Sequence, residues 1–170
     1  MTSTDSSPVT RTLLKQLDLV WLFADQHVLP RIDDAALYWE PSSNCVSVRR
    51  IDGRFVADQP DENADVLPET TVAWLLWHIE WWWSDTISVC RGEAAVGPDA
   101  YEWSGSVDRI RALRTEWVEI LETTDVEKTI VGLMPEETPL RDVAGWVNFE
   151  LTKNVSEISQ LLTRKANSQI

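Results

Sequence analysis

His78 is the residue best placed to do chemistry, because of what surrounds it. It sits in the run Thr70-Thr71-Val72-Ala73-Trp74-Leu75-Leu76-Trp77-His78-Ile79-Glu80-Trp81-Trp82-Trp83-Ser84-Asp85-Thr86-Ile87. Imidazole binds divalent metals and exchanges protons near neutral pH. At about 100° per residue, Thr71, Trp74, Trp81, Trp82 and Asp85 share the His78 side of a helix, so the imidazole lies in an aromatic-walled stripe. A second polar group falls some seventy residues later. Glu150, Asn154 and Glu157 lie within about 60° of the midline of the apolar stripe Leu140, Val143, Val147, Leu151, Ile158 and Leu161. A buried carboxylate or amide costs several kcal/mol unless it is paired, bonded or coordinated. Side chains projecting inward from facing helices are how bundles build metal sites. Two plainer arrangements remain open: a core histidine bonded to a neighbour, and glutamates at the stripe's solvated edge.

The two cysteines, Cys45 and Cys90, have no CxxC spacing and read as free thiols in a reducing compartment. Cys45 precedes Arg49 and Arg50, and Cys90 precedes Arg91, the kind of basic neighbour that activates a thiol nucleophile, though neither has a neighbouring His. A net charge of −13 disfavours nucleic acid or an anionic membrane as partner. The small basic group Arg49, Arg50 and Arg54 reads as the solvated side of a hairpin. The first residues show no basic stretch leading into an apolar one, so the expected location is the cytoplasm. Tryptophan supplies 10 residues against 2 tyrosines and 3 phenylalanines. Indole N–H groups want partners when buried, so this excess suggests either a lined cavity or a tryptophan-heavy core.

These residues must be positioned by helices. A tail over residues 1–8 precedes a helix over 9–28, where Leu13, Leu17, Val20, Trp21, Ala24 and Val28 recur at three- and four-residue steps and Pro30 ends the pattern. Residues 30–68 are irregular, except for a helical turn over 35–39 and a hairpin over 45–57 around Asp52-Gly53. The second helix, over 70–90, is apolar nearly all round and therefore central, yet too short and too polar at His78, Glu80 and Asp85 to span a bilayer. A third helix is expected over 106–122. The last runs over 138–165, with Thr138 as N-cap, Pro139 at the first helical position and Asp142 in the first turn, before a tail over 166–170. The fold class is all-α: one domain over 9–165, a four-helix bundle with a long irregular insert between helices one and two.

The run Thr70 to Ile79 resembles the second helix of the DinB-like superfamily of bacterial four-helix bundles. Trp39-Glu40-Pro41 with Val46-Ser47-Val48-Arg49, and Val147-Asn148-Phe149-Glu150 through Glu157-Ile158, are similar to other parts of that family. The resemblance covers roughly residues 9–165. It implies a divalent metal, often zinc or nickel, held by one histidine from the second helix and usually two from the last, and in some members reactions of low-molecular-weight thiols. His78 matches the second-helix histidine, but Lys153 and Asn154 stand where the last-helix histidines are expected. Glu150 keeps the acidic position one turn earlier. A metal set of His78, Glu150 and Asn154 would be a degenerate, oxygen-rich one, suited to Mg or Mn more than Zn or Ni, or would hold no metal. The expectation is a small ligand in a cavity around Trp74, His78, Trp81, Trp82 and Asp85, or a dimeric scaffold. The alternative is a metal-dependent thiol S-transferase or hydrolase. No nucleic acid and no membrane is expected as partner.

Overall fold

The computed structural model describes residues 7–61 and 63–168. The expected N-terminal tail lies outside the described residues except for Ser7 and Pro8, and both belong to the first helix. Ser7 Oγ accepts from the Thr10 amide at 3.0 Å, Pro8 takes the first helical position, and α1 runs Pro8–Phe23. Its fixed φ and missing N–H cost nothing there. The helical path continues through a π turn, Ala24–Val28, and a 3-10 turn, Leu29–Arg31. A one-turn helix α2, Asp34–Leu37, starts from Asp33, whose carboxylate accepts from the Ala36 amide at 2.7 Å.

The hairpin forms around Asp52-Gly53 but is shorter than the expected 45–57: β2, Val48–Ile51, pairs antiparallel with β3, Arg54–Ala57, and Cys45 and Val46 pair elsewhere. Asp52 and Gly53 both take positive φ, 50° and 82°, as a two-residue hairpin turn with matching twist requires. Two further pairings were not foreseen. β1, Cys45–Val46, runs parallel to β4, Glu69–Thr70, and β5, Thr129–Ile130, pairs antiparallel with β6, Thr138–Pro139. Two-residue pairings carry no readable alternation, since they arise where tertiary packing brings backbone segments together.

The long helix α3, Val72–Arg91, begins and ends on side-chain and glycine signals. Thr71 Oγ1 accepts from the Trp74 amide and itself donates to Ser47 Oγ at 3.0 Å. At the other end Gly92 adopts φ 84°, and the amides of Gly92 and Glu93 return to the carbonyls of Val89 and Ser88. This left-handed cap satisfies carbonyls that would otherwise lie unpaired. α4, Val107–Thr123, starts at Ser106, whose side chain accepts from the Asp108 amide.

The last helix, α5, runs Leu140–Asn167, so its start corrects the expected one. Thr138 and Pro139 are extended in β6, and neither caps the helix with a side chain. The first-turn amides of Leu140 and Arg141 donate instead to the carbonyls of Lys128 and Val126. Backbone acceptors from the preceding strand segment have replaced the side-chain cap. At its far end the helix continues through two residues expected to be tail.

Four long helices share one core: α3 packs on α4 and α5, and α1 packs on α5 and more lightly on α4. Trp83 and Trp117 are fully buried within it, together with Leu17, Leu113 and Ile158. Asn148 of α5 ties the outer pair together by donating to the Leu13 carbonyl at 3.0 Å. No helix among the described residues is long and apolar enough to cross a membrane.

Candidate functional site

A cavity of about 490 Å³ opens between α3 and α5. His78, Trp81, Trp82 and Asp85 come from α3; Trp146, Glu150 and Lys153 come from α5. Gly132, Leu133 and, on the connection after α3, the exposed Ala95 complete the lining. A smaller cavity of about 290 Å³ shares His78 and Trp81 with it and is further lined by Trp74, Trp77 and Pro60. His78 and Trp81 therefore belong to the walls of both aromatic spaces.

The imidazole is held by aromatic contact. Its ring stacks on Trp74 with centroids 4.9 Å apart and planes inclined by 13°, and Trp81 lies 5.7 Å away at a steeper tilt. Burial keeps His78 neutral, lowering its pKa from 6.5 to about 4; the Lys153 ammonium acts in the same direction and the Glu150 carboxylate against it. The residue is neutral throughout the physiological range.

The two α3 carboxylates turn out to be anchors. Asp85 accepts from Trp81 Nε1 at 3.0 Å, from the Val96 amide at 2.9 Å and from the Gly97 amide at 3.0 Å. Glu80 is buried and accepts from Tyr101 Oη, the Ser104 amide and Ser104 Oγ. Between them they fix the chain that leaves α3. That satisfies the buried charge with hydrogen bonds and pins the segment carrying Ala95 beside the cavity. Asp85 thus lines the space, with its oxygens already engaged.

On α5 the expected set separates. Trp146, Glu150 and Lys153 fall on one side of the helix, whereas Asn154 is turned from Lys153 by about 100° toward Val147, Leu151 and Ile158. Asn154 is 1% exposed, does not line the cavity, and donates from Nδ2 to the Glu150 carbonyl at 2.8 Å. Glu150 is paired instead with Lys153, Oε2 to Nζ at 2.7 Å. Glu157 accepts from Thr70 Oγ1 and braces the β4–α5 contact.

The structure brings together His78, Trp81, Trp82, Asp85 and Glu150. Trp74 lies across the imidazole, and Asn154 lies elsewhere. Trp146 and Lys153 were not foreseen as cavity residues. Their spacing of four before and three after Glu150, which puts all three on one side of the helix, was the available signal. The tryptophan excess divides between both readings. Trp81, Trp82 and Trp146 line the cavity, whereas Trp83, Trp103 and Trp117 are buried core; the indole N–H groups of these three and of Trp82 have no hydrogen-bond partner among the described residues.

These donors do not fit zinc or nickel. Both ions want three or more converging imidazole, thiolate or carboxylate ligands. Among the described residues no group of three His, Cys, Asp or Glu side chains is arranged to hold a metal ion. Glu150, the one carboxylate in the cavity besides the engaged Asp85, is occupied by an ammonium. The thiols do not supply the missing ligand. Both cysteines are free and neither lines the cavity. Burial pushes each pKa up to about 11, at Cys45 with further help from Glu40 and Glu69, so neither is a ready nucleophile.

A mostly helical domain with short strand pairings and an aromatic cavity between two long helices is the class of protein that fold and site define. A family model described as DinB superfamily matches residues 17–158, and the chain belongs to that superfamily. No curated protein matches the chain, and neither does any solved structure.

Proposed function

We propose that this chain is a DinB-superfamily four-helix bundle that binds a small organic ligand in the cavity between α3 and α5. The observation that carries this reading is the composition of the cavity wall. Three tryptophans, a neutral imidazole and a leucine line much of an open cavity of about 490 Å³, the size range of small-molecule sites. Indole faces offer a large apolar area and favour flat partners. Glu150, Lys153 and the hydrogen-bonded Asp85 supply the cavity's polar lining.

The test is a titration of untagged full-length protein with 1-anilinonaphthalene-8-sulfonate, read by its fluorescence. Saturable one-to-one binding is the expected result. Ala95→Trp should weaken it at least tenfold by filling cavity space from an exposed lining position, with the melting temperature unchanged. Binding that is absent, or equal in wild type and Ala95→Trp, refutes the reading.

A dimeric scaffold is the second reading, favoured by the exposed apolar residues Leu19, Leu22 and Phe23, which recur at three- and four-residue steps on α1. Sedimentation velocity separates the two. The metal-dependent thiol transferase gains no support from the donor set.

A further inference from the structure

We propose that Lys153 is the built-in cation of this cavity, and that its ammonium, standing beside His78 and Glu150, keeps divalent metal ions out. The proposal does not rest on the ligand reading, because an organic molecule can occupy the tryptophan-lined part whichever way a metal titration turns out.

The geometry has three parts. His78 and Glu150 face one cavity from two helices, which leaves two metal-type ligands pointing into shared space. Lys153 lines that same cavity, and its Nζ lies 2.7 Å from Glu150 Oε2. The carboxylate side chain is only 14% exposed, whereas that of Lys153 is 50% exposed, so the ammonium reaches in from the solvent side to neutralise a group that has little water of its own. A divalent ion bound by Glu150 and His78 would therefore have to displace the ammonium or lie within a few ångströms of it. Like charges at such separations in a partly desolvated space repel strongly. Asp85 offers no relief, since three donors hold its oxygens. Asn154 offers none either, because it is buried away from the cavity and does not line it. The discriminating group is thus a positive charge, over and above a missing ligand.

These two explanations separate by substitution. Lys153→Met removes the charge and adds only a thioether, a far weaker zinc ligand than imidazole. Lys153→His removes the charge and creates a Glu-x-x-His pair on α5, the spacing with which bundle helices present two ligands to one metal. Zinc chloride is titrated by calorimetry into untagged full-length protein, with thermal unfolding verifying each fold and Lys153→Gln as a second neutral variant. Lys153→Met and Lys153→Gln should each bind zinc at least tenfold more tightly than wild type, and Lys153→His at least tenfold more tightly again. Adding His78→Ala should abolish both gains. Tight one-to-one zinc binding by the wild-type protein overturns the proposal. So does a gain confined to Lys153→His, which would make the missing ligand the whole cause, and so does a gain that survives His78→Ala, which would place the ion on surface carboxylates.

Discussion

Replacing Asp85 with alanine is the sharpest test of how the cavity is built. The carboxylate accepts three hydrogen bonds, from the Trp81 indole and from the Val96 and Gly97 amides, while itself only 7% exposed. A hydrogen bond to a charged group contributes about 1.5–3 kcal/mol. The three are not equal losses. Val96 is exposed and Gly97 half-buried, so water can take over the freed amides. The Trp81 indole faces an aromatic wall and has less access to a substitute. Counting the indole bond in full and the amides at a fraction gives a loss of about 3 kcal/mol. For a domain of this size each kcal/mol moves the melting temperature by about 2–4 °C, so Asp85→Ala should melt roughly 6–12 °C lower. Differential scanning calorimetry at pH 7 reads that shift. Limited proteolysis should show new cleavage between residues 93 and 98 before the helices are cut, because the connection loses its anchor. Asp85→Asn keeps one neutral accepting oxygen but turns an NH2 donor toward the remaining N–H groups, so it should also melt below wild type. A melting temperature within about 2 °C of wild type, with no new cleavage, would show that Asp85 does not hold the connection and would refute this account.

Three further outcomes follow from other parts of the molecule. His78 should stay neutral down to about pH 4 in a proton NMR titration of the two imidazoles. The folded value lies below the unfolded one of 6.5, so the unfolded chain takes up the proton first, and stability falls as pH drops from 6.5 to about 4. His78→Gln should flatten that part of the stability profile, and an NMR midpoint near 6 would contradict the burial argument. Trp83→Ala, at a fully buried position, should cost about 3–5 kcal/mol in urea unfolding, against less than half of that for Trp83→Phe. Cys45 and Cys90, both held protonated by burial, should react slowly with a thiol reagent at pH 8 in the native state and stoichiometrically in denaturant, and fast native labelling would count against it.

Much of the fold was legible because local signals and burial agree. α3 has Thr71 at one end, Gly92 at the other and no breaker between, and its all-round apolar character marked it as central. Asp52-Gly53 announced the hairpin because few residues tolerate two successive positive φ angles. The start of α5 was misplaced for an equally local reason. Thr138-Pro139 has the chemistry of a helix entry, but the carbonyls of Lys128 and Val126, brought up by the pairing of β5 with β6, satisfied the same amides. Capping propensity yields when tertiary contact supplies a better acceptor.

What the sequence determined alone was the set of helices, the side of α3 that carries His78 among tryptophans, and the presence of inward polar groups on α5. Periodicity fixes which residues share a face, and burial energy fixes that the apolar face turns inward. What only the tertiary structure decided was the use of each polar group. Glu80 and Asp85 became anchors because the chain after α3 folds back over them. Asn154 closed on its own helix, and Glu150 took Lys153 as its partner. The choice between metal ligand, anchor and ion pair depends on a few ångströms between side chains on different elements, and helical spacing within one element carries no information about that distance.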